Sequence, residues 1–199
     1  RGRRLLVLDG VPFDDARPGP VAAFEDAVAR LGRAGARITH ASPPCVAEAM
    51  ALAPTLFAPE AYGIWQDQIE DAPELMYPPI LERFRGGRHT LAADYVAGWE
   101  CLARLRADWA RLVASFDAVI LPTSPILPPD ANRLLTEPDF FAAENLLTLR
   151  NTRIANLLGL PAISLPTGHP ACGLMLMGAA GHDRALLIVA AAAEAALQP

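Results

Sequence analysis

The 199-residue chain contains no lysine, and all 17 of its basic residues are arginine. A GC-rich coding bias explains this composition, but the chemical consequence holds whatever the cause. Without lysine the chain can form no lysine Schiff base, and it has no lysine to act as a general base. Serine is also scarce: the chain has four, and none lies in a G-x-S-x-G motif. The usual residues of several nucleophilic mechanisms are therefore missing.

The chain has few cysteines, and they are far apart: Cys45, Cys101 and Cys172. They form neither a C-x-x-C pair nor the spacing of zinc ligands. We therefore expect no metal site and no cofactor. An odd, sparse set of cysteines fits a reducing cytoplasm, in which thiols stay free.

The sequence also lacks a basic run and a long apolar run. Its formal net charge is -5, which makes it a poor candidate for binding a phosphate backbone. The apolar stretch at residues 5–8 is too short for the apolar core of a signal peptide, and the stretch at 185–193 is too short to span a bilayer. We expect neither a nucleic-acid partner nor a membrane partner, and we expect a cytoplasmic location.

What remains favours a folded α/β chain, because 52% of the residues are hydrophobic and 20% are charged. The apolar run at residues 5–8 predicts a buried strand, and Pro18-Gly19-Pro20 opens a helix that ends at Gly32 or Gly35. Residues 36–40 predict a second strand. Strand, helix and strand form a βαβ unit, which predicts parallel pairing.

Helices and strands follow one another through the rest of the chain, and we find no internal domain boundary. Residues 1–199 are therefore predicted to be a single domain or part of a larger one. The longest predicted helix starts near Thr90 and carries an apolar stripe that we assign to the core: Tyr95, Trp99, Leu102, Leu105, Trp109 and Leu112. The other predicted helices are 46–70 (with a break near Pro54 or Pro59), 79–84, 140–158 and 183–197, and the other strands are 117–121, 162–165 and 173–178.

Four segments occur in an order that is typical of one enzyme family. The first, residues 80–95, contains Arg83 followed by Gly86 or Gly87. The second, 116–125, reads Asp-x-x-x-x-Pro-Thr-x-Pro, and the third, 152–168, reads Thr-x-x-x-Asn-x-x-Gly-x-Pro-Ala-x-Ser-x-Pro-x-Gly. The fourth is a Gly-Leu-Met strand at 173–178, followed by Asp183 and Leu186-Leu187. Together these segments resemble the C-terminal half of the amidase-signature hydrolases.

This resemblance implies an α/β fold with a mixed, largely parallel sheet covered by helices, and hydrolysis of amide C–N bonds. In that family a serine attacks the carbonyl, a second serine relays its proton and a lysine is the base. All three belong to the N-terminal half, as does the Gly-Gly-Ser-Ser loop that forms the oxyanion hole. The chain resembles only the other half, so we predict that it has no catalytic residue of its own and is inactive alone.

Four residues are predicted to bind substrate: Thr123, Ser124, Pro125 and Asn156. The first three lie in a loop with four prolines, residues 122–129, at the C-terminal end of a strand. Open α/β sheets usually bind ligands at such ends. Asn156 belongs to the third segment, near the end of a helix. For all four residues the alternative is a purely structural role in turns and caps.

Two further observations bear on chemistry. The glutamine-dependent members of the resembling family carry an Asp seven residues before the motif asparagine, whereas this chain has Leu149 there. This difference favours a general amidase acting on an aryl or aliphatic amide. The four histidines are dispersed, so a Ser-His-Asp triad is not expected: His40, His89, His169 and His182.

The sequence leaves two functions open. In the first, the chain supplies scaffold and part of the substrate pocket, and a complementary N-terminal half, covalent or separate, supplies the catalytic groups for a small-molecule amide. In the second, it is a non-catalytic α/β remnant that binds a ligand or a partner protein. In the first case the isolated chain should expose apolar surface and open sheet edges, so we expect it to form a homodimer or to be poorly soluble.

Overall fold

Residues 2–198 of the computed structural model contain five strands, which form one mixed sheet in the order β2-β1-β3-β5-β4. The strands are Arg4–Leu8 (β1), Arg37–Ala41 (β2), Ala118–Pro122 (β3), Ala162–Pro166 (β4) and Gly173–Met177 (β5). β1 pairs in parallel with β2 and β3, while β5 is antiparallel to both β3 and β4. Four of the five strands thus run in one direction, which confirms the predicted mixed, largely parallel sheet.

Helices cover both faces of the sheet, because each strand places apolar side chains alternately on either side. On one face, Leu5, Val7, Ile120 and Leu176 pack against α1 and α8. On the other, Leu6, Leu8, Leu121 and Met175 pack against α2, α3, α5 and α7. The helices are Pro18–Arg33 (α1), Pro44–Ala51 (α2), Ala53–Asp71 (α3), Pro78–Gly86 (α4), Ala92–Val113 (α5), Ala131–Thr136 (α6), Pro138–Leu158 (α7) and Asp183–Leu197 (α8).

Most helix boundaries follow the local sequence. α7 ends where Gly159 adopts a left-handed conformation (φ 68°), as the Gly-x-Pro pattern predicts. The predicted break near Pro54 lies at Leu52, between α2 and α3. Pro59 lies inside α3 and does not end it. Leu112 is 41% exposed, unlike the core residues of the predicted stripe, because it faces solvent at the end of α5.

Asp117 fixes the start of β3 against β1. Its carboxylate accepts hydrogen bonds from the Arg4 backbone N–H at 2.7 Å and from the Arg3 guanidinium at 2.8 Å. The bond from the Arg4 N–H is the main reason that the pKa of Asp117 lies below its usual value. The prediction that this residue begins a strand is therefore accurate to one residue, since β3 starts at Ala118.

No helix within residues 2–198 has the combination of length and apolar composition needed to cross a membrane.

Candidate functional site

The candidate site lies where the adjacent parallel strands β1 and β3 end. The chain leaves β1 towards α1 on one face of the sheet, and it leaves β3 towards α6 and α7, of which α7 packs on the other face. Two neighbouring strands whose connections diverge in this way leave a crevice at their carboxyl ends, where open α/β sheets bind ligands.

Asn151 holds the two loops of this crevice together. Its side chain is fully buried, and Nδ2 donates to the carbonyl oxygens of Pro122 at 2.8 Å and Pro12 at 3.2 Å. Arg150 donates to the same Pro12 carbonyl and to that of Asp14, and burial lowers its pKa. The loop after β1 and the loop after β3 are thus both tied to α7.

Sequence reasoning missed Asn151, although a sign of it was visible. Asn151 lies on the α7 face that also carries the buried Ile154, Ala155 and Leu158. A polar residue in an apolar stripe must find hydrogen-bond partners when it is buried. The stripe could have been found from helical periodicity, but the hydrogen-bond partners of Asn151 depend on the loops that α7 contacts.

Pro125 and Ser124 are held by the scaffold. Pro125 is buried, and its carbonyl accepts the Arg17 backbone N–H at 2.8 Å. The Ser124 hydroxyl donates to the Ile126 carbonyl at 3.1 Å, two residues along its own loop. The Arg17 guanidinium in turn donates to the nearly buried Glu144 of α7 at 2.6 Å. These bonds stiffen the proline-rich loop and leave less of its hydroxyl and carbonyl groups for a ligand.

Thr123 pairs with a serine from another strand. Its Oγ1 lies 2.6 Å from Ser164 Oγ on β4. Both lie beside Gly173 of β5, where an added Cβ would be 2.5 Å from Ser164 Oγ and 2.7 Å from Thr123 Oγ1. Glycine at this position therefore makes room for two hydroxyls at the end of the sheet. Ser164 was not predicted here, because the pairing order β3-β5-β4 is not visible in the sequence.

Asn156 stands apart from the loop residues. It is exposed, and within residues 2–198 its side chain forms no hydrogen bond. It lies on an outward-facing stripe of α7 at helical spacing: Asn145, Leu149, Arg153 and Asn156. The structure thus groups Thr123, Ser124 and Pro125 in one loop and places Asn156 on a separate helix surface.

One arginine, Arg153, belongs to that outward stripe, and a second, Arg83, reaches it from α4. Arg83 of α4 donates to Asn145 Oδ1 at 3.0 Å, and the rings of Tyr77, just before α4, and Phe141 of α7 meet edge to face with centroids 5.1 Å apart. The partly buried Arg153 has a lowered pKa, chiefly because of burial and also because of the positive charge of Arg83. These contacts between α4 and α7 were not predicted from the sequence.

The described residues offer no assembled nucleophile. His40 Nδ1 lies 3.2 Å from both carboxylate oxygens of Asp9, which would orient a catalytic imidazole. However, within residues 2–198 neither this histidine nor another forms a hydrogen bond with a serine hydroxyl. Burial raises the pKa of the Cys45 thiol, which disfavours the reactive thiolate.

Comparison with known proteins identifies the family. The family model described as Amidase matches residues 6–187. The chain belongs to the amidase family. A 2-amino-5-chloromuconic acid deaminase from Comamonas testosteroni is 31% identical to this amidase-family chain over 201 residues, or 98% of the chain and 43% of the relative. A glutamyl-tRNA(Gln) amidotransferase subunit from Halobacterium salinarum is 30% identical over 141 residues, or 66% of the chain and 32% of the relative.

Solved structures share the fold. Allophanate hydrolase from Kluyveromyces lactis superposes with a TM-score of 0.83 at 20% sequence identity, and the match covers 100% of this chain and 33% of that one. The amidase-family chain therefore spans less than half the length of these relatives, with 43% for the deaminase and 32% for the amidotransferase. The resemblance seen in the sequence motifs is confirmed, and so is the partial coverage of a larger enzyme.

Proposed function

We propose that this amidase-family chain is the C-terminal part of an amide C–N hydrolase. It provides scaffold and part of the substrate pocket, with Thr123, Ser124, Pro125 and Asn156 as candidate contacts, and it is inactive without a complementary N-terminal half. The observation that carries this proposal is the missing base: a chain with no lysine spans 43% of its relative's length. The proton of an attacking serine must then be accepted by a group outside these residues.

The outer face of α8 supports the proposal that a further part of the enzyme packs against this chain. Leu187 and Ile188 are 56% and 57% exposed, and Ala191, Ala192 and Ala195 continue the same exposed apolar surface along the helix. The opposite face of α8 is buried in the core. A helix that is apolar on both sides is normally covered on both sides. We call the exposed residues 187, 188, 191, 192 and 195 the α8 outer face.

An open sheet edge lies beside this surface. β4 is the last strand of the sheet within residues 2–198, and α8 packs against it. Its free edge offers unpaired backbone groups to a further strand. The opposite edge strand, β2, exposes the polar Arg37, Thr39 and His40 instead. We therefore propose that the complementary half extends the sheet beyond β4 and covers the α8 outer face.

Until it is covered, this surface should cause self-association. Replacing both Leu187 and Ile188 with glutamate should lower dye binding by the isolated chain and shift it towards monomer, because two charges disrupt the apolar surface. At a protein concentration low enough to keep both proteins monomeric, the free energy of unfolding should change by less than about 1 kcal/mol, since both residues face solvent in the monomer. Size-exclusion chromatography and binding of a hydrophobic-surface dye measure the first two effects, and urea unfolding measures the third.

Leu135→Glu is the matched control, because Leu135 is 79% exposed but lies on α6, away from the α8 outer face. It should leave dye binding and association unchanged. A wild-type chain that is a monomer and binds no dye would contradict the proposed surface.

The proposed function is tested by reconstitution. The chain, the polypeptide encoded directly upstream of it and a mixture of the two are assayed for ammonia release from aliphatic and aryl amides. Leu149 on the outward stripe of α7 favours such substrates over glutamine. We expect turnover only in the mixture, because the nucleophile and its base come from the upstream part. Turnover by the chain alone would overturn the proposal.

The same experiment distinguishes this enzyme function from the alternative, a non-catalytic remnant. An upstream region that encodes a Gly-Gly-Ser-Ser loop and a lysine, and that restores hydrolysis, supports the enzyme. An upstream region without them, together with a ligand or partner protein that binds the chain, supports the remnant. We propose a cytoplasmic location for either form, because an odd, sparse set of three cysteines fits a reducing compartment.

A further inference from the structure

The first half of α7 extends past the end of the sheet. α7 carries the chain back from the end of β3 to the start of β4, which runs in the same direction as β3. Asn151 donates to the carbonyl of Pro122, the last residue of β3, so the part of α7 before Asn151 lies beyond the strand end. This part is roughly 20 Å of helix. We call residues 131–150, which also include α6, the α6–α7 arm.

The α6–α7 arm buries almost none of its own side chains. Among residues 131–150 only Glu144 is buried, and no apolar residue is. α4 and the segment before it add one hydrogen bond and one aromatic pair to the arm. The rest of α7 is different, because residues 151–158 bury five side chains: Asn151, Ile154, Ala155, Leu157 and Leu158. A segment with few buried apolar contacts opens at a lower cost in free energy than the core. The arm should therefore open locally while the base of α7 stays folded.

One ion pair fastens the α6–α7 arm across the crevice. Glu144 is 7% exposed, and within residues 2–198 its carboxylate has a single hydrogen-bond partner, the Arg17 guanidinium at 2.6 Å. Arg17 lies at the end of the loop after β1, immediately before α1. Its backbone N–H donates to the Pro125 carbonyl, in the loop after β3, at 2.8 Å. The Arg17–Glu144 pair therefore joins the arm to both loops of the crevice.

The burial of Glu144 makes this pair decisive for the position of the arm. A buried carboxylate that loses its only partner is strongly unfavourable. The Arg17 side chain is 55% exposed, so it is already in contact with water. When the arm opens, the carboxylate returns to water. When the arm closes, the carboxylate leaves water and needs the guanidinium. The closed position therefore depends on Arg17.

We propose that the α6–α7 arm is a lid over the crevice and that the Arg17–Glu144 pair holds it closed. The open lid admits an amide substrate to the proline-rich loop, and the closed lid excludes water from that loop. Arg17 is a positioning residue, because it acts through the lid. The role in turnover rests on the proposed function, whereas the opening of the lid is a property of the isolated chain.

Amide hydrogen exchange of the isolated chain, read by mass spectrometry, tests the lid. In the unmodified chain the amides of residues 142–150 should exchange at least about 10-fold faster than those of residues 151–158. Arg17→Leu should speed exchange at 142–150 by a further factor of about 5 to 20, between the values for losing a buried and an exposed ion pair. Exchange at 151–158 should stay as it was, because the base of α7 keeps its packing.

Adding Glu144→Leu to Arg17→Leu is the decisive control. The double variant buries an apolar side chain in place of an unpaired carboxylate, so the lid should close again. Exchange at 142–150 should then return towards that of the unmodified chain. Damage to the start of α1, which Arg17 precedes, would not be repaired by a change on α7.

Arg111→Leu is the matched control for the loss of an arginine. Arg111 forms an exposed ion pair with Asp108 on α5, away from the lid. Its removal should leave exchange in the lid unchanged.

The reconstituted pair shows whether the lid serves turnover. Arg17→Leu should lower kcat and raise KM together, with kcat/KM falling about 10-fold, as expected for a closing element that stays open. Arg17→Lys keeps a cation and should recover part of the loss, and so should the added Glu144→Leu. A change in KM alone, or a loss that neither variant repairs, overturns the role in turnover.

Three exchange results overturn the lid. The first is equal protection of residues 142–150 and 151–158 in the unmodified chain, and the second is unchanged exchange in Arg17→Leu. The third is faster exchange along the whole of α7 in that variant, which indicates a global loss of stability. Absence of hydrolysis in the unmodified pair means that the proposed function has failed, and the exchange measurements on the isolated chain then decide the lid by themselves.

Discussion

Replacing Gly87 with alanine should destabilise the chain by at least about 3 kcal/mol, near the upper end for overpacking of a well-packed contact. A Cβ at this position would lie 2.2 Å from the Ala58 carbonyl oxygen and 2.6 Å from the Pro59 nitrogen, both in the backbone of α3. A backbone cannot move aside as a side chain can, so α3 and the segment after α4 would have to separate. Gly87 itself has φ −61°, so the cost is steric and not a matter of backbone conformation.

Gly86 provides a control one residue away. It ends α4 with φ −56°, and an added Cβ there would meet no atom within 4 Å. Gly86→Ala should therefore leave stability unchanged or raise it by up to about 1 kcal/mol, because alanine loses less backbone entropy on folding. Urea unfolding followed by tryptophan fluorescence, at one protein concentration, measures both variants. Similar midpoints for the two variants would contradict the close contact with α3.

Asn151→Ala should cost about 2–4 kcal/mol. The substitution leaves the buried carbonyls of Pro12 and Pro122 without the donor that they share, and it opens a small cavity under the candidate crevice. The loops after β1 and β3 should then become more mobile, which amide hydrogen exchange at residues 10–14 and 123–127 would detect.

Asn156→Ala is the matched control, because it removes the same type of side chain from the same helix. Asn156 is exposed, so its removal should change the free energy of unfolding by less than about 0.5 kcal/mol. If the two variants unfold at the same urea concentration, Asn151 does not hold the crevice together. A loss of activity in the reconstituted pair for Asn156→Ala, without a loss of stability, would instead support its predicted contact with substrate.

The secondary structure was largely predictable because local patterns specify it. α8 begins at Asp183 and ends at Leu197 as predicted, and α1 begins at Pro18. α6 was not predicted, since it has only six residues and depends on Asp130, whose side chain caps it by accepting the Arg133 N–H at 2.9 Å. Short elements of this kind carry too little periodicity to be recognised.

The site was less predictable than the fold. The loop at residues 122–129 could be placed at a strand end from its prolines alone. Whether the hydroxyls of this loop are free to bind a ligand could not be predicted. The Ser124 hydroxyl forms a hydrogen bond within the loop, and the Thr123 hydroxyl forms one with Ser164, 41 residues later in the chain. The choice between Gly86 and Gly87 in the first motif likewise needed the position of α3, since only Gly87 touches that helix. Contacts between distant segments carry no local pattern.

The sequence by itself determined the chemistry that this amidase-family chain lacks, because a side chain that is not encoded cannot be supplied by folding: with no lysine there is no amine base. It also determined the helices and strands, through apolar periodicity and proline and glycine positions. Only the tertiary structure decided which polar groups meet. Asn151 lies between two loops, Arg83 of α4 donates to Asn145 of α7, and α8 packs against β4, because packing joins residues that are far apart in the chain.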